Sequence, residues 1–338
     1  MAEFKTNDEP EFTHQLVSWL EKPLINTEWT KAYRGYDLIN RPELLFHPIE
    51  VMTTLVQLGY EPLPPKFNKN IFGRTQLQFP GFFTYTKFII SRDGIFGIYR
   101  GLKYNLAYNV TYRFVYKNVN HLQKQTSVFA PLSSKEEMYA NPKNLALTLA
   151  SGIISNFTAL AVAYPIHVMM IRSISQFIGQ ETHYDSVAGA ILDIYITGGL
   201  SGFYAGFTAY FLSQYAFFCI ETLGQYILRN YTDKSLELWE NNYLLSAINI
   251  VSRPLIYPFR MVSTVMACNG SSAVSLVASA YTGPEYDNWV QCWRALYRHG
   301  EIKRGSSLFW RYKPVNSSLM YPLQPSNKPF KIDINSLQ

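Results

Sequence analysis

The sequence predicts an all-α membrane protein built from a helical module that occurs three times and breaks off early in its last copy. Three observations carry this. First, one stretch recurs, as HPIEVMTTLVQ at His47–Gln57, YPIHVMMIRSI at Tyr164–Ile174 and YPFRMVSTVMA at Tyr257–Ala267. Each copy ends a largely apolar run on a proline and continues in helix-forming residues. Proline removes a backbone donor and clashes with the preceding turn, so each copy predicts a kinked helix. Second, a short segment follows each kink and closes on a glycine after nearly equal intervals, Pro80 to Gly94, Tyr184 to Gly199 and Tyr286 to Gly300. Recurrence at this period is the mark of a repeat architecture. Third, charged residues are only 16% of the chain and aromatics reach 16%, a balance that favours a membrane over a solvated globule.

The elements follow in chain order. Residues 1–31 form an acidic polar segment (Glu3, Asp8, Glu9, Glu11, Glu21 and Glu28 against Lys5, Lys22 and Lys31). It has neither the apolar core of a secretory signal nor the Arg-rich character of a cleavable presequence, so targeting is expected to be internal. The first module, 32–125, opens with a helix from Ala32 to Tyr60 whose first half is polar (Arg34, Asp37, Arg41, Glu43). EPLPP at Glu61–Pro65 stops it. A short amphipathic helix after Pro80 ends at Gly94, and a long one runs from Leu102 to about Leu122. The second module, 143–232, has its most apolar span at Asn144–Ser173, a short helix from Tyr184 to Gly199, and a long span to about Asn230. The third, 239–314, starts near Trp239, kinks at Pro258, carries the loop GSSAVSLVASAYTG and closes its short helix at Gly300. A sixth long helix is then due. The tail 315–338 holds further prolines and no run of the ~20 apolar residues a bilayer span needs. The expectation is five long helices.

Composition limits the function. The 338 residues carry a net charge of +6 with no Lys/Arg block, which argues against nucleic acid. Cys219, Cys268 and Cys292 are odd in number and widely spaced, offering neither a disulfide framework nor zinc spacing. No Ser/His/Asp grouping, metal spacing or phosphate-cradling glycine loop can be assembled, so the chain is read as a non-enzyme without cofactor or metal. Mean hydropathy is −0.06, so any membrane helices must carry polar residues.

A kinked helix ending at proline, a short helix, then glycine followed by an aromatic and Lys/Arg–Gly resembles the mitochondrial carrier family. VQLGYEPLPP (Val56–Pro65), NIFGR (Asn70–Arg74), QFPGFFTY (Gln78–Tyr85), QFIG (Gln176–Gly179), FYAG (Phe203–Gly206) and RGSSLF (Arg304–Phe309) look more specifically like its mitochondrial carrier homolog branch. The likeness covers roughly residues 40–314. It implies a carrier-type fold, multi-pass in the outer mitochondrial membrane. It further implies insertase activity for α-helical membrane proteins, tail-anchored ones included, with lipid scrambling and docking of an apoptosis regulator as alternatives. The expected partners are membrane lipids and the apolar helices of client proteins.

The same resemblance implies a gate of salt bridges between acids two residues after each proline and bases five residues after it. Those positions hold Glu50, His167 and Arg260, and Thr53, Met170 and Ser263. With one acid and no base the gate cannot form. Polar residues instead recur on single helix faces: Gln214, Glu221 and Gln225 on one helix, Ser246, Asn249, Arg253, Tyr257 and Arg260 on the next. Asn105, Asn109, Arg113 and Lys117 form a third such row, Asp37 and Arg41 a fourth. A charge at mid-bilayer costs about 2.5–3.5 kcal/mol, so these stripes are expected to face a water-filled groove that the missing helix leaves open sideways. The candidate groove residues are Gln214, Glu221, Arg253, Tyr257, Arg260, Arg113, Glu50 and Thr53. Pairing between helices as packing glue, or a soluble protein with wet polar faces, are the plainer readings of the same stripes.

Overall fold

The computed structural model describes residues 43–69, 73, 75–125, 141–180, 182–231, 238–269, 286–309 and 311–312. The acidic start, Asp37, Arg41, the GSSAVSLVASAYTG loop and the proline-rich tail lie outside the described residues. Within them the chain forms helices α1 (Glu43–Gln57), α2 (Phe82–Asp93), α3 (Leu102–Gln125), α4 (Pro142–Gly179), α5 (Val187–Gly202), α6 (Phe207–Tyr231), α7 (Leu238–Cys268) and α8 (Trp289–Arg298). The recurring prolines lie inside α1, α4 and α7, where Pro254 joins Pro258.

Local chemistry sets the boundaries. Pro142 opens α4 at a first-turn position, where its missing N–H costs nothing. Gln180 closes it in the left-handed conformation at φ 57° and returns its N–H to Gln176. Ser186 caps α5 by accepting from the Gly189 N–H, and Asn288 caps α8 by accepting from Gln291. The glycines that end the short segments, Gly94, Gly199 and Gly300, all have φ between 59° and 72°. Gly101, Gly206 and Gly305 follow at φ 79–82°.

Three short strands add to the helical expectation. The first helix ends at Gln57, with Gly59 at φ 87° ahead of EPLPP, and beyond it Lys66–Lys69 (β1) and Thr75–Phe79 (β2) pair antiparallel, with Lys66 opposite Gln78 and Lys69 opposite Thr75. Arg311–Tyr312 (β3) joins the other edge of β2, with Phe79 opposite Arg311. The sheet thus ties residues after α8 to the segment between α1 and α2.

Packing is concentrated below the prolines. Val51, Met52 and Leu55 of α1, Tyr85 and Ile89 of α2, Val168 and Ile174 of α4, and Cys268 of α7 share one core. Met261, Val262 and Val265 of α7 pack against Cys292 and Leu296 of α8 in a second. Polar ties seal this end. Gln57 Nε2 donates to Tyr257 Oη at 3.0 Å, Tyr257 donates to the Arg304 carbonyl at 2.6 Å, and Arg304 Nη2 donates to the Gln57 carbonyl at 2.7 Å. Arg311 pairs with Glu61 and donates to the Pro80 carbonyl.

Among the described helices α4 alone is long and apolar enough to cross a bilayer unaided. The α5–α6 pair passes the same test only if taken together across a bend of 69°. The remaining long helices carry the polar load that a near-zero mean hydropathy demands.

Candidate hydrophilic groove

The site begins on α1. His47 Nε2 donates to the Arg100 carbonyl at 2.9 Å, which leaves Nδ1 as an acceptor for Asn105 Nδ2 at 3.1 Å. Asn105 gives its other amide hydrogen to Glu50 Oε2 at 2.7 Å, and Asn109 donates to Asn105 Oδ1 at 2.8 Å. With the His47 proton on Nε2, the Nδ1 lone pair faces the carboxylate 3.7 Å away. Asn105 therefore holds Glu50, whose side chain remains 35% exposed. The row of polar residues on α3 is explained at its first two positions, since Asn105 and Asn109 turn into the bundle. Asn156 is equally buried and accepts from Tyr112 Oη at 2.7 Å. Asn109 and Asn156, each two residues ahead of a threonine, are thus interior packing.

Across from Glu50, His167 of α4 sits in a cage of tyrosines. Its ring lies 5.3 Å from Tyr108, 5.6 Å from Tyr164 and 4.5 Å from Tyr210, centre to centre. Tyr108 and Tyr210 join hydroxyls at 3.1 Å, while His167 Nδ1 is buried with no hydrogen-bond partner. Arg260 of α7, exposed on its helix, lies near enough to act electrostatically on both Glu50 and His167. Helices α1, α3, α4, α6 and α7 therefore converge on one polar cluster.

Gln214 and Glu221 continue along α6 away from it. Eleven residues separate Tyr210 from Glu221, about 16 Å of helix. Glu221 is 7% exposed, and among the described residues no hydrogen bond or ion pair holds its carboxylate. Gln214 and Arg113 are half-buried, and Arg253 of α7 is exposed. α6 and α7 approach closely here, because a Cβ on Gly224 would meet Ile248 at 3.0 Å. Tyr257 belongs elsewhere: its hydroxyl is fully engaged in the tie to Gln57 and Arg304 at the sealed end. Thr53 likewise spends its hydroxyl on the Ile49 carbonyl of its own helix, at 2.7 Å.

The absent gate is visible in the same region. Met170 is buried in the core, and Ser263 Oγ lies 3.2 Å from Tyr164 Oη. No cation stands at any of the three base positions. A residue the sequence reading passed over is Arg172, fully buried, whose Nε donates to the Ala267 carbonyl at 2.9 Å and whose Nη2 reaches the Asn269 carbonyl. It satisfies carbonyls at the C-terminal end of α7 that the helix cannot. Its signal was its isolation, as the one Lys or Arg within the apolar span of α4.

The helix faces beside the cluster are apolar. Leu45, Phe46 and Ile49 are exposed on α1, as are Ile250, Val251 and Leu255 on α7. α1 touches α7 at its C-terminal end through the Gln57–Tyr257 hydrogen bond. Among the described residues no helix follows α8, and no group of His, Cys, Asp or Glu could hold a metal.

Residues 141–235, covering α4 to α6, match the family model described as mitochondrial carrier protein. The chain is 30% identical over 287 residues to mitochondrial carrier homolog 2 of Mus musculus, covering 83% of this chain and 94% of that protein. It is 31% identical over 281 residues to mitochondrial carrier homolog 2 of Homo sapiens, covering 81% and 92% respectively. Mitochondrial carrier homolog 1 of Mus musculus matches at 29% over 292 residues, with 79% and 73% covered. The chain belongs to the mitochondrial carrier homologs, a branch of the mitochondrial carrier family, and is thereby a mitochondrial membrane protein.

Proposed function

We propose that this protein is an insertase of the outer mitochondrial membrane for α-helical membrane proteins, tail-anchored ones included. The observation that supports the reading is a polar interior flanked by apolar walls. Glu50, Asn105, Asn109, His167 and Arg260 line one level, and Gln214, Glu221 and Arg253 lie further along α6 and α7. Exposed apolar rows stand on α1 and α7.

The mechanism is physical. A client helix with a polar flank meets its barrier when the flank loses water. Side chains in the groove replace part of that hydration, while the apolar walls let the hydrophobic segment move sideways into lipid. Charges in a confined polar site are screened far less than in bulk water, so the groove's own charge should select among flanks.

Lipid scrambling through the same groove is the second reading. It is favoured by the partly exposed Glu50 carboxylate within electrostatic reach of Arg260, opposite charges suited to a zwitterionic headgroup.

The test is insertion of matched tail-anchored clients differing only in flank charge, into liposomes carrying equal amounts of each variant, with lipid flipping scored alongside. Gln214→Arg and Glu221→Arg should slow clients with a positive flank severalfold and spare neutral ones. Arg253→Gln should act in the opposite direction. Insertion unchanged for every client and variant would leave the groove structural and support a receptor role. Flipping altered without insertion would support the scramblase.

A further inference from the structure

α5 does not have the surface of a helix that lies in water. Its protein-facing side buries Ala190 and Ile194, with Asp193 and Thr197 half-buried beside them, before the backbone breaks from helical geometry at Gly199. Val187, Ile191, Leu192, Tyr195, Ile196 and Leu200 are exposed around the rest of it. Surface helices carry one apolar stripe and a polar opposite face, and a helix apolar almost all round is found in a core or in a membrane.

Its few polar groups are all turned inward or satisfied locally. Asp193, its one charge, accepts from the hydroxyl of fully buried Tyr184, and that hydroxyl accepts in turn from Arg172 Nη1 at 3.5 Å. The Thr197 hydroxyl donates to the Asp193 carbonyl at 2.7 Å, and Ser201 Oγ donates to the Gly198 carbonyl at 2.7 Å. Tyr195 is exposed on the same side as Ile191 and Ile196. The short helices α2 and α8 differ: Lys87 on one, Arg294 and Arg298 on the other, stand exposed.

We propose that α5 sits among the acyl chains of one leaflet as a half-membrane segment, and not at the water interface. The exposed residues, from Val187 through Tyr195 to Ile196, cover about half of the circumference, the half turned away from the rest of the protein. α5 also adjoins α6 across a bend of 69°, and the pair is apolar enough to cross a bilayer only when taken together. Gly206 fixes that bend: at φ 79° it packs so tightly that a Cβ would meet the Ser263 carbonyl at 2.7 Å and Met266 Cβ at 3.0 Å. This placement goes beyond the insertase reading and does not depend on it.

The experiment uses the full chain in liposomes with an NBD fluorophore at Ile196→Cys. The background is Cys219→Ala, where the buried thiols Cys268 and Cys292 stay unlabelled in the folded protein. Lys87→Cys on α2 is the comparator, and Leu192→Cys repeats the reading if Ile196→Cys misfolds. Ile196 should emit blue-shifted light and be quenched severalfold more by lipid doxyl-labelled at mid-chain than by aqueous iodide, with Lys87 showing the reverse. Iodide quenching at Ile196 equal to that at Lys87 would place α5 in water and overturn the proposal. Protection from both quenchers would overturn it too, because protein would then cover the helix.

Discussion

Glu61, at the turn that ends the first helix, is a carboxyl held where water hardly reaches. Arg311 Nη1 donates to one of its oxygens, while the other is buried with no hydrogen-bond partner. Burial lifts it to about 7, against the pull of Arg311 and Arg304, with Glu301 adding to the rise. Glu301, paired with Arg304, is raised in the same way, by burial first. Desolvation wins at Glu61 because the ion pair compensates only one oxygen. A carboxyl raised in the folded state holds its proton there more tightly than in the unfolded chain. Its contribution to stability is therefore fully present below about 4.5 and is lost as pH rises through 7. Thermal unfolding of the detergent-solubilised protein should show a midpoint falling between pH 5 and 8. Glu61→Gln should flatten that fall by a few degrees, given that about 1 kcal/mol moves such midpoints by roughly 2–4 °C. An identical slope in the variant would mean that Glu61 is ionised throughout.

The elements raise the question of what holds a bent helix pair in one geometry. The α5–α6 corner turns on Gly206, which needs both a left-handed φ of 79° and the space that a side chain would fill. Gly206→Ala should therefore cost about 1–2 kcal/mol from conformation alone, with the clash against Ser263 and Met266 added. Gly198→Ala, where a Cβ meets nothing within 4 Å, should change stability little. Equal melting of the two variants would show that the corner is not rigid. Much at this scale was legible in the sequence. The short segments closing on glycine mark real element boundaries, and the first helix ends just ahead of EPLPP, because each is local backbone chemistry, whereas the recurring prolines lie inside their helices. β1 was not legible: KFNK is exposed along its whole length, so no inward–outward alternation was written into it. β3 depends on a partner more than two hundred residues away, which no local pattern can encode. The candidate groove was legible in part. Spacing on α3 found Asn105 and Asn109, but helix periodicity cannot say that Tyr257 turns to Gln57 and Arg304, or that Arg172 reaches Ala267.

The whole molecule inherits the carrier plan without the parts that make a carrier alternate. Alternating access needs two states that a ligand can bias, and in this family's design charged pairs between neighbouring helices would supply one of them. The sealed end here is held differently. Gln57, Tyr257 and Arg304 are hydrogen-bonded in a closed circuit, Arg172 holds the end of α7, and Arg311 fastens β3 beside Glu61. These are core contacts that packing reinforces, not exposed pairs that a solute could exchange. Glu50, the one acid of the expected gate, is engaged by Asn105, while the three base positions hold Thr53, Met170 and Ser263. We expect no saturable counter-exchange of nucleotides or carboxylates by the purified protein in liposomes. Restoring one base, as Thr53→Lys, should not create exchange either, because the ties at the sealed end would persist. Radiolabelled solute uptake that saturates, and that depends on solute loaded inside, would sink this expectation. It would mean that the sealed end opens despite its buried polar ties.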